Sequence, residues 1–167
     1  MNAGGGPART DGVTPVVCFS YECPVWFDDM DALGTVHHGR FPYLAERAQS
    51  ALFESLGYGW TDVRDRHEDI CYVVREVRVG YHAPVTTPGD VRVDLSVEHV
   101  GTTSAVWGFR CSTVDPDTGR ETLHASGERV VVKVDPDTLR PRPWTDAFRA
   151  LLARLRAGQP PSERTAP

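Results

Sequence analysis

A helical pattern dominates the first half of the chain. Apolar residues recur there at steps of three and four, which places them on one face of a helix: Phe41, Leu44, Ala45, Ala48, Leu52 and Leu56. Pro42 fits only in the first turn, so the helix should begin between His38 and Phe41. Gly57 marks its end. This helix has to bury its apolar face, and the rest of the chain supplies mainly strands.

Alternating or β-branched segments predict the strands. The segment 16–21 is rich in β-formers, and Pro24 restricts it to a sheet edge. After the helix, four further segments favour strands, and the Asp115–Gly119 turn joins the last two as a hairpin. The four segments are 70–82, 91–98, 103–114 and 121–134. Short connections between consecutive strands favour an antiparallel sheet.

The order of these elements predicts an α+β domain in which an antiparallel sheet of about five strands packs on one long helix. Residues 144–155 predict a short terminal helix. Residues 62–69 (DVRDRHED) are too polar for the core, and we expect a solvated turn there.

The size and charge of the chain restrict its domain organisation and the partners it can bind. At 167 residues and 18.4 kDa, it predicts a single domain over residues 16–156, with disordered tails at 1–15 and 157–167. A net charge of -5 argues against a nucleic-acid partner held by general basicity. Residues 1–15 lack a signal-peptide pattern, and no apolar run is long enough for a membrane span.

The cysteines and the basic residues add little chemistry. The four cysteines form no CxxC pair, so we expect reduced thiols in a cytoplasmic protein, and none is a good nucleophile candidate. They are Cys18, Cys23, Cys71 and Cys111. Lys133 is the lone lysine among the basic residues, which we attribute to genome composition.

The loop before the long helix concentrates the candidate chemistry. It contains Asp28, Asp29, Asp31, His37 and His38. Acidic and imidazole groups before a helix start lie where backbone N–H groups converge, which suits stabilisation of an oxyanion. A turn or capping role is the ordinary use of an aspartate such as Asp31. The cluster lacks the spacing of zinc motifs, which disfavours a metal site.

The same loop resembles a known family. The string Asp29-Met30-Asp31-Ala32-Leu33-Gly34-Thr35-Val36, with the helix behind it, resembles the D-x-D-x-x-G-x-V signature of hotdog-fold acyl-CoA thioesterases. The similarity is to the 4-hydroxybenzoyl-CoA thioesterase family, in particular its YbgC-like branch. A later segment, Tyr81-His82-Ala83-Pro84 followed by Gly89-Asp90, is similar to a second recurring segment of that family.

The resemblance implies a fold and an assembly. In the hotdog fold a curved antiparallel sheet wraps the long helix, two subunits pair their sheets edge to edge, and active sites form at the subunit interface. We therefore expect a homodimer or homotetramer that hydrolyses an acyl-CoA or acyl-carrier thioester. No cofactor, metal, nucleic acid or membrane is implied.

The resemblance also implies site residues. The family's catalytic carboxylate falls on Asp31, acting as nucleophile or as general base. The amide that polarises the thioester carbonyl falls on the N–H of His38, whose side chain orders the site. Gly34, Val36, His37 and Gly39 are the expected substrate-binding residues. His37 is a departure, because the branch often has Tyr at that position.

Hydrolysis of a thioester requires few catalytic groups. An aspartate with an ordinary pKa of about 3.9 is ionised at neutral pH. Because a thioester is an activated acyl group, one carboxylate and one amide donor suffice without a triad or a metal.

Several alternatives remain open at this stage. A hydratase is disfavoured because its motifs are missing, and a non-catalytic acyl-ligand binder is the alternative from another functional class. Glu46 is expected to form an ion pair on the helix surface or at an interface. The sequence does not decide which strand arginines meet the phosphates of CoA; the candidates are Arg75, Arg78, Arg92 and Arg110.

Overall fold

The computed structural model describes residues 15–159, so the predicted tails lie largely outside the described residues. Within this range the chain forms five strands and two α-helices, with three short 3-10 helices in the connections. The strands are β1 (Val17–Val25), β2 (Tyr72–Tyr81), β3 (Gly89–Val100), β4 (Ser104–Val114) and β5 (Glu121–Lys133). The helices are α1 (Arg40–Ser55) and α2 (Asp146–Arg156). The predicted position of the long helix is confirmed.

The five strands form one antiparallel sheet in the order β1-β3-β4-β5-β2. The α+β class and the antiparallel sheet are therefore confirmed. Pro24 lies in β1, and β1 occupies a sheet edge as its proline predicts. β2 occupies the opposite edge, so the β2–β3 connection spans the end of the sheet instead of forming a hairpin.

Both helices contribute to the hydrophobic core. α1 buries the predicted face, including Leu44, Ala48 and Leu52, against the inward side chains of the sheet. α2 adds Phe148, Leu152 and Leu155 to the same core. Phe53 joins the two layers, because its ring centroid lies 5.8 Å from that of Trp107 and 5.9 Å from that of Phe148. The expectation of one helix on the sheet was thus incomplete.

The prediction that residues 62–69 form a solvated turn is wrong at its end. Asp69 is fully buried, and its carboxylate lies 2.6 Å from the buried Lys133 ammonium. Asp69 also accepts hydrogen bonds from the backbone N–H and the hydroxyl of Thr145, which caps α2. These partners explain how a carboxylate so close to exposed polar residues can lie in the interior.

Candidate active site

The loop between β1 and α1 folds into a tight, internally bonded turn. Met30 and Val36 form an isolated antiparallel bridge, and Asp31 exchanges backbone bonds with Thr35 and Gly34 inside it. Gly34 has φ +73°, which a residue without a side chain adopts readily. The Val36 N–H donates to the Val85 carbonyl at 2.9 Å, so the β2–β3 connection holds this loop in place.

The two carboxylate oxygens of Asp31 have different surroundings. Oδ1 accepts the backbone N–H groups of Leu33 at 2.8 Å and Thr35 at 3.2 Å. Oδ2 accepts only a long bond, 3.3 Å, from the Thr35 hydroxyl among the described residues. The backbone hydrogen bonds from Thr35 and Leu33 hold the pKa of Asp31 below its usual range. Asp31 is therefore an oriented, ionised carboxylate with one oxygen largely available.

Asp29 lies two residues away and has a different role. Its carboxylate is buried, accepts the Trp26 N–H at 2.9 Å and pairs with the Arg40 guanidinium at 3.2 Å. These bonds attach the loop to the first residue of α1. Asp28 is exposed, so of these two neighbouring aspartates Asp29 holds the loop and Asp28 faces solvent.

The start of α1 carries an unused backbone donor. The N–H of His38 donates no hydrogen bond to any acceptor among residues 15–159. The carbonyl of the same residue accepts a hydrogen bond from the Tyr81 hydroxyl at 3.1 Å. Gly39 is the N-cap and receives no side-chain cap. Its N–H donates instead to Nδ1 of His37 at 3.1 Å, and the rings of His37 and His38 lie 4.2 Å apart. The helix start therefore offers a free N–H group beside a fixed histidine pair.

These groups meet in a cleft of about 310 Å³. Of the predicted site residues, Asp31, Val36 and His38 line it, whereas Gly34, His37 and Gly39 belong to the surrounding loop without lining it. The opposite wall comes from the end of β2 and the residues after it: Tyr81, His82, Ala83 and Pro84. None of these four residues was among the predicted site residues, although they form the second segment that resembles the family.

Hydrogen bonds to residues of β5 hold the β2 side of the cleft in place. His82 hydrogen-bonds the Ser126 hydroxyl at 2.9 Å. The buried His124 lies with Nδ1 3.1 Å from the carbonyl of Ala83 and Nε2 2.9 Å from the hydroxyl of Thr113. The imidazoles of His82 and His124 thus connect the cleft wall to the neighbouring strands by hydrogen bonds.

Other candidate groups lie outside this cleft. Glu46 forms the expected ion pair, with the buried Arg129 at 2.7 Å. Burial raises the pKa of the Cys23 and Cys111 thiols, to about 11 and about 12, so neither is a ready nucleophile. Among residues 15–159, no group of three or more His, Cys, Asp or Glu side chains is arranged to hold a metal ion. None of the described helices is long and apolar enough to cross a membrane.

The candidate CoA-binding arginines differ in their partners. Arg78 pairs with Glu76 at 2.7 Å and Arg92 with Glu121 at 2.9 Å. Arg75 and Arg110 are exposed, and neither has an ion-pair partner among the described residues. The latter two are therefore the freer cations on the sheet.

Comparison with known proteins places the chain in a family. The thioesterase superfamily model matches residues 33–119, just over half of the chain. The acyl-CoA thioester hydrolase YbgC of Escherichia coli O6:H1 is 27% identical over 124 residues, which cover 74% of this chain and 87% of YbgC. The chain therefore belongs to the thioesterase superfamily.

Solved structures agree with this family. The PA2801 protein of Pseudomonas aeruginosa aligns with a TM-score of 0.68 at 28% identity, over 81% of this chain and 98% of that chain. A thioesterase of Thermus thermophilus, complexed with coenzyme A and Zn, aligns with a TM-score of 0.66 at 24% identity, over 86% and 96% of the two chains. The second likeness supports the fold alone.

Proposed function

We propose that this protein is an acyl-CoA thioesterase, which hydrolyses an acyl thioester to a free acid and a thiol. Membership of the thioesterase superfamily and the similarity to YbgC support the reaction class. The observation that carries the proposal is the pairing of the half-free Asp31 carboxylate with the unbonded N–H of His38 in one cleft.

The chemistry needs only these groups from the chain. The N–H of His38 donates to the thioester carbonyl oxygen and stabilises the charge that develops there. Oδ2 of Asp31 either attacks the carbonyl carbon or takes a proton from a water that attacks it. In the general-base route the water oxygen bonds the carbonyl carbon, the C–S bond breaks, and the proton that Asp31 took from the water goes to the departing thiolate. In the nucleophilic route the C–S bond breaks as the acyl-aspartyl anhydride forms, and the thiolate leaves. One water then hydrolyses the anhydride, which releases the acid, restores the Asp31 carboxylate and supplies the proton of the thiol.

The low pKa of Asp31 suits this role. Because backbone hydrogen bonds favour the ionised form, the carboxylate is charged throughout the neutral range. A proton would block either route, so a carboxylate held in its ionised form is ready to react. Gly34, Val36, His37 and Gly39 shape the loop that receives the substrate.

The proposal includes an assembly. β1 contains Pro24, which lacks an N–H donor, whereas β2 is an edge strand of ten residues without proline. Val73, Val74 and Val77 of β2 are each more than 40% exposed. We therefore assign β2 as the edge at which two subunits pair in a homodimer, alone or within a tetramer. In this arrangement residues 16–156 form one cytoplasmic hotdog domain, with the sheet curved around α1.

A free-thiol assay with matched variants tests the proposal. Wild-type protein should release thiol from acyl-CoA substrates, and Asp31→Asn should lose nearly all turnover while it stays folded and oligomeric. Asp28→Asn is the control, because it removes an exposed carboxylate of the same loop and should keep full turnover. Carrier-protein thioesters belong in the same panel. Retained turnover in folded Asp31→Asn would refute the role of this carboxylate, and acyl-CoA binding without thiol release would indicate a binding protein instead.

A further inference from the structure

The N–H of Gly39, at the start of α1, donates to a ring nitrogen. Nδ1 of His37 accepts this bond at 3.1 Å, where an oxygen of serine, threonine, asparagine or aspartate usually accepts a donor of this kind. Backbone bonds hold His37 itself, because its N–H donates to the Asp29 carbonyl at 2.9 Å and its carbonyl accepts the N–H of Arg40 at 2.8 Å. His37 therefore connects the Asp31 loop to the first turn of the helix.

These contacts fix the peptide units on both sides of His38. A peptide unit is planar, so a bond to its carbonyl also fixes the direction of its N–H. The unit before His38 is held through the carbonyl of His37, which binds Arg40, while its N–H has no acceptor among residues 15–159. The unit after His38 is held by the Tyr81 hydroxyl at its carbonyl and by the His37 ring at its N–H. The His37 ring therefore helps to orient the donor that the proposed function assigns to the thioester oxygen.

The missing side chain of Gly39 makes room for the His37 ring. A Cβ at position 39 would lie 3.2 Å from Nδ1 and 3.4 Å from Cε1 of this ring, so a side chain there would displace it. Gly39 has φ −68°, which every residue type adopts, so the backbone conformation does not require glycine. The close approach of the His37 ring therefore accounts for the glycine.

The bond from Gly39 depends on the protonation of His37. A neutral imidazole has one donor and one acceptor nitrogen, whereas a protonated imidazole has two donors. Because Nδ1 accepts the Gly39 N–H, the proton of the neutral ring lies on Nε2. Protonation places a second N–H on Nδ1, opposite that of Gly39, and the bond is lost. Histidine is the side chain whose charge ordinarily changes between about pH 5 and 8.

Ionisable groups of the loop, the helix and the opposite cleft wall lie around the histidine pair: Asp28, Asp29, Asp31, His38, Arg40, Tyr81 and His82. Asp29 and Arg40 neutralise each other in an ion pair at 3.2 Å. A charge on His37 is attracted by the ionised Asp31 and repelled by a charge on the His38 ring, whose centroid is 4.2 Å away. Protonation of His37 thus changes the charge directly beside the proposed catalytic groups.

We propose that His37 is a positioning residue of thioester hydrolysis: its neutral ring holds the start of α1, and with it the His38 N–H, in the reactive orientation. Protonation of His37 releases this restraint and lowers turnover while Asp31 is still ionised. The loss is partial, because Arg40 and Tyr81 still hold the peptide units of His38. Complete loss follows at the lower pH where Asp31 becomes protonated. This inference rests on the proposed function and adds a pH-dependent step to it.

Two amide side chains at position 37 test the acceptor. His37→Asn keeps an acceptor oxygen at the position of Nδ1, whereas His37→Gln moves it to the position of Nε2. At about pH 8, where histidines are neutral, His37→Gln should lose about tenfold in kcat with KM nearly unchanged. His37→Asn should recover kcat to within about threefold of wild type. Equal kcat values in the two variants would overturn the proposal.

The pH dependence of kcat tests the switch. Wild type should lose about tenfold in one step between about pH 8 and 5, before the acid limb that Asp31 sets at lower pH. His37→Asn should lack this step. His99→Gln, at an exposed histidine of β3 that does not line the cleft, is the control and should keep the step. A step that persists in His37→Asn would belong to another group and would overturn the proposal.

Gly39→Ala tests the contact from the helix side. Its Cβ should displace the His37 ring, and we expect kcat at neutral pH to fall about tenfold. In the His37→Gln background the same change should cost little more, because both changes act through one contact. Losses that multiply in the double variant would contradict this contact.

An NMR titration separates this inference from the proposed function, because it needs no turnover. In ¹⁵N-labelled protein the Gly39 amide resonance should shift as the pH falls through the range in which histidines protonate, and should shift far less in His37→Asn. A Gly39 resonance that does not shift in wild type would overturn the role of His37, even if Asp31→Asn is inactive. If the resonance shifts but wild type releases no thiol, the pH-dependent contact stands and the proposed function fails.

Discussion

Two aspartates of this chain lie near the N-terminal ends of the two α-helices in space and have opposite surroundings. Asp69 is fully buried at the start of α2, where Lys133 and Thr145 occupy both of its oxygens. Asp31 lies near the start of α1 in an open cleft, where the loop amides hold Oδ1. Within residues 15–159, only the Thr35 hydroxyl approaches its Oδ2. One carboxylate is saturated with partners, and the other is oriented but incompletely bonded.

The pKa values of both carboxylates are lowered, so the direction of the shift does not separate them. Burial by itself raises the pKa of Asp69, but hydrogen bonds from Lys133 and Thr145 outweigh it. Asp31 is accessible to solvent, and backbone hydrogen bonds from Thr35 and Leu33 lower its pKa. The distinguishing feature is the availability of an oxygen in a cleft. A saturated carboxylate stabilises the fold, whereas a half-bonded one is available for chemistry.

We expect the largest energetic effect, a loss of folding stability, from removal of the buried Lys133 ammonium. Lys133→Met leaves the Asp69 carboxylate buried without its ammonium partner, and we expect the free energy of unfolding to fall by about 3–5 kcal/mol. Urea denaturation measures this change. Arg64→Met is the matched control, because it removes a cation from the exposed pair with Asp62 and should leave the unfolding free energy unchanged. A Lys133→Met protein as stable as wild type would contradict the structural role of the buried pair.

A smaller effect should follow from the loss of the Tyr81 hydroxyl. Tyr81→Phe keeps the ring that contacts His38 and Phe41 but removes the hydrogen bond to the His38 carbonyl. The start of α1 loses one restraint, so we expect kcat to fall about tenfold, equivalent to ~1.4 kcal/mol, with little change in KM. Steady-state kinetics measure both parameters. Tyr43→Phe, at an exposed tyrosine of α1 outside the cleft, should have no effect. An equal loss in both variants would exclude a specific role of Tyr81.

The smallest effect should appear in the pH dependence of turnover. Because the ionised Asp31 is the active form, turnover falls as pH drops through its folded-state pKa, which lies below the ordinary value. Thr35→Val removes the hydroxyl contact but keeps the backbone N–H, so the acid limb of the pH–rate profile should move to higher pH. Thr138→Val removes the same kind of bond from Asp135 at a distant turn, and its profile should match wild type. A limb that moves to lower pH in Thr35→Val would contradict this assignment.

Local patterns were sufficient to predict most of the elements. The apolar spacing located α1, Pro24 indicated an edge strand, and the Asp115–Gly119 turn joins β4 and β5 as expected. Each of these features depends on residues close together in the chain. The pairing of β2 with β5 does not, because it is decided by contacts between residues far apart in sequence, and the sequence therefore predicted the strands without their order.

The burial of two cations of β5, Arg129 and Lys133, was not predicted, because it also depends on residues far apart in sequence. Arg129 and Lys133 alternate with Val131 on β5, and all three side chains face inward, whereas Val130 and Val132 on the other side are only half-buried. The valines gave the stronger hydrophobic signal in this strand and indicated the wrong face as the buried one. The partners that make burial of Arg129 and Lys133 favourable lie more than sixty residues away, on α1 and before β2. The lone lysine was itself a clue, because a cation in a strand otherwise made of valines needs a partner.

The candidate site was predictable in part. The resemblance located Asp31 and His38, and both line the cleft. The wall formed by Tyr81 and His82 comes from a segment more than forty residues away, and the Glu46–Arg129 ion pair needs α1 and β5 together. Neither arrangement has a local sequence signal beyond the short Tyr-His-Ala-Pro motif.

The most direct test compares the turnover of folded Asp31→Asn with that of folded Asp69→Asn, using the same acyl-CoA substrate. We expect Asp31→Asn to lose at least about 10³-fold in kcat while it unfolds at the wild-type urea concentration. Asp69→Asn should unfold at a lower urea concentration and keep near wild-type kcat in its folded fraction. The opposite result, with Asp31→Asn active and Asp69→Asn folded but inactive, would contradict the division between the reactive and the structural carboxylate.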